Sequence, residues 1–209
     1  VMELARREGG GRRFISIQYP EEIGQDSKDT KEAYQFCVKA GIKPFISEIS
    51  KERIRRAGTK ILGEETNPDW NKDVGFRVLK IDTSNMAEVY YAPDALEKAK
   101  LDLFADNIKP DRTPEDLLFQ VMLDWGVDLA LPIAKQVIQG KEVFLVDGNA
   151  LAACFDGHGG VDEALVKELA KVQPLRVVFR DAGFKDSAVK INVEQIFKLL
   201  SPATEVKCI

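Results

Sequence analysis

Apolar and polar positions alternate along the chain in two periods, and the switches between them mark its elements. Val1 to Glu8 reads as the end of a helix, and Gly9-Gly10-Gly11 stops it. Arg12 to Pro20 follows, with Phe14, Ile15 and Ile17 predicting a short apolar strand that ends at the proline. A helix, a glycine break and a strand make half of a βαβ unit whose opening strand is missing. Asp29 to Lys39 predicts a helix punctuated by Gly41 and Pro44. Phe45 to Leu62 predicts a second helix, with Ile46, Ile49, Ala57 and Ile61 on its apolar side. The basic run Lys51 to Arg56 reads as a solvated face of that helix rather than a phosphate track. Gly63 to Asp73 is polar and predicts a linker at a domain boundary.

The second region opens on Val74 to Asp82, where Phe76, Val78 and Leu79 predict a strand. A loop with Tyr90, Tyr91 and Pro93 leads to 101–110, a short segment of ambiguous pattern. Thr113-Pro114-Glu115-Asp116 is a helix start: a capping hydroxyl, proline at the first helical position and an acid three residues after the cap. Leu117, Leu118, Val121 and Met122 continue the helix to about Trp125, and Gly126 ends it. From Ile133 to Asp156, two β-rich runs flank Gly140-Lys141 as a hairpin, and a third strand follows Gly148. Val161 to Val172 predicts an amphipathic helix, and Leu175 to Asp181 a strand buried on both faces. Ser187 to Leu200 predicts another helix, and 204–209 a closing strand. The expected fold class is α/β. Residues 1–62 are expected to form the terminal part of one domain, 63–73 a linker, and 74–209 a smaller mixed α/β domain.

Composition and charge narrow the chemistry. The 209 residues are 44% hydrophobic and 31% charged, a globular balance with chain enough for one or two domains and an ordinary core. No apolar run approaches the ~18 residues that cross a bilayer. The first ten residues also lack the basic-then-apolar layout of a secretion signal, so the expected location is the cytoplasm. Cys37, Cys154 and Cys208 are odd in number and widely spaced, which fits neither a disulfide framework nor a metal knuckle. A net charge of -4 argues against a stand-alone reader of duplex DNA. His158 is the single histidine, so zinc sites built on several histidines cannot arise within one copy. Val1 falls inside a helix, and the expectation is a chain that starts within a larger protein.

Three strings invite an enzymatic reading. Asn67-Pro68-Asp69-Trp70 resembles the Asn/Asp-Pro-Pro-aromatic motif of amino-methyltransferases, but Asp69 replaces the second proline and no strand precedes it, so a turn is expected. Asp156-Gly157-His158-Gly159-Gly160 resembles the signature of metal-dependent protein phosphatases. No acidic strand-turn partners accompany it, and a glycine-rich turn between strand and helix accounts for the glycines. Gly9-Gly10-Gly11 with Arg12-Arg13 lacks the Lys-Ser/Thr of a phosphate loop and precedes its strand instead of following it. Asp181-Ala182-Gly183-Phe184 sits at a strand end, where α/β proteins place ligands, although a turn into a helix needs the same small residues. No catalytic residue and no metal ligand is expected within the chain.

Taken as ordered blocks, VMELARREGGGRRFISIQYPEE, KERIRRAGTKI, GFRVLKIDTSN, VMLDWGVDLALPI, EVFLVDGNALAACFD and LRVVFRDAGFKDSAVKINVEQIFKLLSP span nearly the whole sequence. Together they resemble the C-terminal part of the modification subunit of type III restriction-modification systems, β-class DNA adenine-N6 methyltransferases that use S-adenosylmethionine. The resemblance implies a prokaryotic cytoplasmic protein and the terminal part of a Rossmann-like methyltransferase fold followed by a smaller α/β domain. It also implies that the catalytic, cofactor-loop and DNA-recognition regions lie upstream of Val1. Gln18 or Glu21 then matches the position that meets the cofactor ribose, with Gln where an acid is usual. The implied partners are a second modification subunit and the restriction helicase-nuclease subunit. On this reading the chain is inert alone and serves in assembly. The alternatives are a stand-alone protein-interaction domain and a metal-dependent phosphatase built on Asp156 and His158.

Overall fold

The computed structural model describes residues 1–25, 28–87 and 107–209, and it is a mixed α/β structure that divides into two compact units, Val1–Ile81 and Asp82–Ile209. The loop with Tyr90, Tyr91 and Pro93 and residues 101–106 of the ambiguous segment lie outside the described residues. No helix among the described residues is long and apolar enough to cross a membrane.

The first unit holds α1 (Met2–Glu8), α2 (Lys31–Ala40) and α3 (Ile46–Leu62). Gly9 takes φ 72 after α1, and Gly41 takes the left-handed φ 67 that closes α2, conformations that cost glycine little. The α1 and α3 helices meet over a small core of Ala5, Ile61 and Trp70. Trp70 reaches that core from the 63–73 segment, which folds as a turn: the Trp70 amide donates to the Asn67 carbonyl at 3.1 Å, and the Asn67 amide to the Arg6 carbonyl at 2.9 Å. One buried indole thus fastens this polar segment to its own unit.

The strands expected at 12–20 and 74–82 do not form. Both segments run without a strand alongside, and Ile15, Ile17 and Ile81 are 92%, 93% and 106% exposed. A strand exists only through a neighbour that takes its backbone hydrogen bonds, and among the described residues neither segment has one.

The second unit is a five-stranded sheet in the order β1-β2-β3-β4-β5, made of β1 (Ile133–Ile138), β2 (Lys141–Val146), β3 (Leu151–Cys154), β4 (Arg176–Phe179) and β5 (Glu205–Cys208). The first three strands are antiparallel neighbours, and β3, β4 and β5 run parallel. Gln139 and Gly140 both adopt positive φ, which makes the two-residue turn that joins β1 to β2. The α4 helix (Pro114–Asp124) precedes β1, α5 (Glu163–Lys171) joins β3 to β4, and α6 (Ser187–Leu200) lies between β4 and β5. Side chains alternate between the faces of the sheet. Val143, Ala152, Cys154, Val177 and Phe179 meet α5 and α6, while Phe144, Val146, Leu151, Ala153 and Val178 meet α4. Parallel strands joined through helices need cover on both faces, and the three layers supply it.

Helix starts in this unit follow the chemistry of their caps. Thr113 and Asp116 form the reciprocal capping box, with the Asp116 amide donating to Thr113 Oγ1 at 3.3 Å and the Thr113 amide to Asp116 Oδ2 at 2.8 Å. The next helix begins two residues later than its apolar pattern suggests, because Val161 bridges to Phe184 and Asp162 caps Leu165 at 2.9 Å.

Candidate functional site

In open α/β sheets, loops beyond the carboxyl ends of parallel strands are the ordinary place for ligands. Here those ends carry Asp156 after β3 and Arg180-Asp181 after β4. The antiparallel register that pairs Phe144 with Ala153 continues to bring Lys141 opposite Asp156, and their charges meet at 3.3 Å. The second carboxylate oxygen of Asp156 accepts the Gly160 amide at 2.9 Å, so both oxygens are engaged inside the loop.

The glycines of this loop are explained by crowding. A Cβ on Gly157 would stand 2.7 Å from Arg180 Nη1, and one on Gly160 would collide with the end of the Lys141 side chain. Gly159 takes φ 68. A side chain at Gly183 would strike the Asp156 carbonyl oxygen, which locks the two loops together. His158 is exposed at the tip. Among the described residues, no group of three or more His, Cys, Asp or Glu side chains is arranged to hold a metal ion. The phosphatase-like string thus forms a closed turn in which Asp156 is a structural acceptor.

Asp181 lies beside this turn but bonds to Lys190 at 2.5 Å. A cavity of about 400 Å³ opens near it, lined by Asn107, Gln120, Asp124 and Lys207 among others. Lys207 sits 5.3 Å from the centre of the Trp125 ring, and Arg176 approaches the same indole at 5.6 Å while donating to the Trp125 carbonyl at 2.9 Å. These cations pin the end of α4 to the sheet. Burial pushes the Cys154 and Cys208 thiols up, so neither is poised as a thiolate nucleophile.

The two positions matched to the cofactor ribose lie on the bare segment of the first unit. The Gln18 amide donates to the neighbouring Tyr19 carbonyl at 3.0 Å. The Glu21 carbonyl accepts the Ile46 amide at 3.0 Å, and both residues are exposed. Gln18 and Glu21 have no enclosing wall here and do not by themselves fit a nucleoside cofactor. Asn67-Pro68-Asp69-Trp70 is a turn with Asn67 Oδ1 accepting the Asp69 amide at 2.9 Å, and its indole is buried instead of open to a base.

Sequence reasoning missed the Lys141–Asp156 pair, which needs a strand register to be seen, and the burial of Trp70 inside a polar stretch. The chain matches no protein-family model and no curated protein.

Proposed function

We propose that this chain is the C-terminal portion of a type III modification subunit, and that it acts in assembly. The parent is a DNA adenine-N6 methyltransferase that uses S-adenosylmethionine and reaches DNA through regions outside these residues. In this reading, residues 1–81 are the end of its Rossmann-like fold and residues 82–209 a domain that serves subunit contacts, with a second modification subunit and the restriction helicase-nuclease subunit as partners in a prokaryotic cytoplasm. The observation that carries the reading is the contrast between the units. The second encloses its own sheet, whereas among the described residues the first has helices and exposed apolar segments but no sheet to cover. Methyl transfer to adenine needs groups that stabilise positive charge on the attacking amine, and the candidate loops present none organised for it.

The test is the mass and activity of the native polypeptide, captured from the source cells with an antibody against these residues. A polypeptide several-fold heavier, transferring labelled methyl groups to DNA adenine while the purified 209-residue chain transfers none, is the expected result. Methylation by the 209-residue chain alone overturns it. A native band at the mass of this chain supports the second reading, an independent interaction domain, which the exposed apolar segments also favour.

A further inference from the structure

The α6 helix has an uncharged stripe on its outer side as well as a buried face. Val189, Val193 and Phe197 are buried in the core that α6 shares with α5 and the sheet. Ala188, Ile191, Asn192, Gln195 and Leu199 lie on the side away from that core and are all exposed, Ile191 at 74% and Leu199 at 82%. Scattered apolar side chains on a surface mean little, but these recur once per helical turn and no charge interrupts them. The three charged residues of α6, Lys190, Glu194 and Lys198, stand at every fourth position and so share a single flank. The neighbouring α5 shows the ordinary pattern. Its outer side carries Glu163, Lys167 and Lys171, with Lys167 bonded to Glu163 at 2.9 Å and Lys171 to Glu168 at 2.6 Å.

The order of residues along the α6 stripe is its own complement. Laid antiparallel against a copy of itself with Gln195 on the two-fold axis, the helix brings Ile191 level with Leu199 of the second copy, and Leu199 level with Ile191. The two Gln195 amides then face each other, and each offers the donor and the acceptor that the other needs. A single polar position in an apolar helix seam fixes register in this way. Charge agrees with the direction. In an antiparallel pair the like flanks meet, so Glu194 of each copy stands about 3 Å along the axis from Lys198 of the other. A parallel pair would set the charged flank against the uncharged one. The pairing of Lys198 with Glu194 inside one helix, 3.6 Å long and exposed, is of the weak surface kind and leaves both groups open to a second partner. Lys190 is held by Asp181 and takes no part.

We propose that α6 is the surface through which two copies of this chain associate, antiparallel about a two-fold axis at Gln195. The inference rests on the assembly reading given above, in which a second modification subunit is a partner. It adds the helix, the direction and the register of that contact.

Oxidative cross-linking of the 209-residue chain, with sedimentation equilibrium beside it, tests the contact. Gln195→Cys is expected to form a disulfide-linked dimer. Ile191→Cys and Leu199→Cys are expected to link only when the two variants are mixed, since each position lies about 12 Å along the axis from its own counterpart. Wild type gives the background of Cys208, the one free cysteine among the described residues that is not buried. Leu199→Glu is expected to raise the dimer dissociation constant about a hundredfold or more with an unchanged urea midpoint, because each interface would bury two unpaired carboxylates. Glu194→Lys is expected to weaken the dimer about tenfold, and adding Lys198→Glu to restore it. A chain that stays monomeric, a dimer that Leu199→Glu or Glu194→Lys leaves intact, or Ile191→Cys linking to itself overturns the inference. The methylation assay is separate. A heavier native methyltransferase whose copies do not meet through α6 keeps the parent reading and removes this one, and an α6 dimer of a native 209-residue polypeptide does the reverse.

Discussion

At the scale of single residues, the loops at the carboxyl end of the sheet are governed by close approach. Gly183 accepts no side chain because the Asp156 carbonyl occupies that space, and a backbone atom cannot swing aside as a lysine tip can. Gly183→Ala is therefore expected to cost about 1–3 kcal/mol, the usual penalty for forcing extra volume into a packed site. Gly160→Ala meets the end of Lys141 and Asp156 Oδ2, side-chain tips rather than backbone, and is expected to cost less. Urea titrations of the two variants check the order, and equal midpoints would show that the Asp156–Gly183 contact is soft. The same residues mark a limit of motif reading. Asp156-Gly157-His158-Gly159-Gly160 has the residue types of a metal site, yet its aspartate is bound to Lys141, fifteen positions earlier in the sequence. Short strings carry residue types, and only strand pairing decides which of them face each other.

At the scale of elements, local chemistry was largely readable. The Thr113 capping box is complete in four letters, since a hydroxyl, a proline and an acid at that spacing satisfy donors that every helix start leaves open. Thr113→Ala is expected to lower the stability of the second unit by about 1 kcal/mol with an unchanged urea slope. The α1 helix offers a pH-dependent counterpart. Hydrogen bonds from Arg6 and Arg7, at 2.6 Å each to Glu3 Oε1, hold the Glu3 carboxyl down at about 2. A depressed acid stabilises the folded state above its ordinary range, and that contribution fades as pH falls from about 4.5 toward 2. Amide protection across Met2–Glu8, taken relative to the intrinsic exchange rate at each pH, should fall over that window in wild type, and Glu3→Gln should abolish the dependence. What could not be read locally were the strands. Arg12 to Pro20 and Val74 to Asp82 have the apolar content of strands, but pairing is a property of two segments, and among the described residues these lack the second.

At the scale of the whole molecule, the two units carry unequal cores. The mixed α/β class followed from the alternation of helical and strand periods, and the five-strand order follows from two hairpins and two crossovers. Trp70 escaped that reading because a lone aromatic in a polar stretch has no periodicity; its burial depends on helices about sixty residues apart in sequence closing over it. The first unit rests on Ala5, Ile61 and Trp70, whereas the second has two clusters, with Phe179 and Phe197 packed at 6.4 Å between ring centres. Buried apolar area is the main favourable term in folding, so the two units should not share one stability. Native-state hydrogen exchange is expected to show α1 and α3 opening at lower denaturant than β2, β3 and β4. Phe197→Ala, which empties a fully enclosed ring from between α6 and the sheet, should lower only the second level, by about 3–5 kcal/mol. A single exchange level for all these amides, falling together in Phe197→Ala, would mean that the chain folds as one cooperative body and that the boundary after Ile81 has no thermodynamic counterpart.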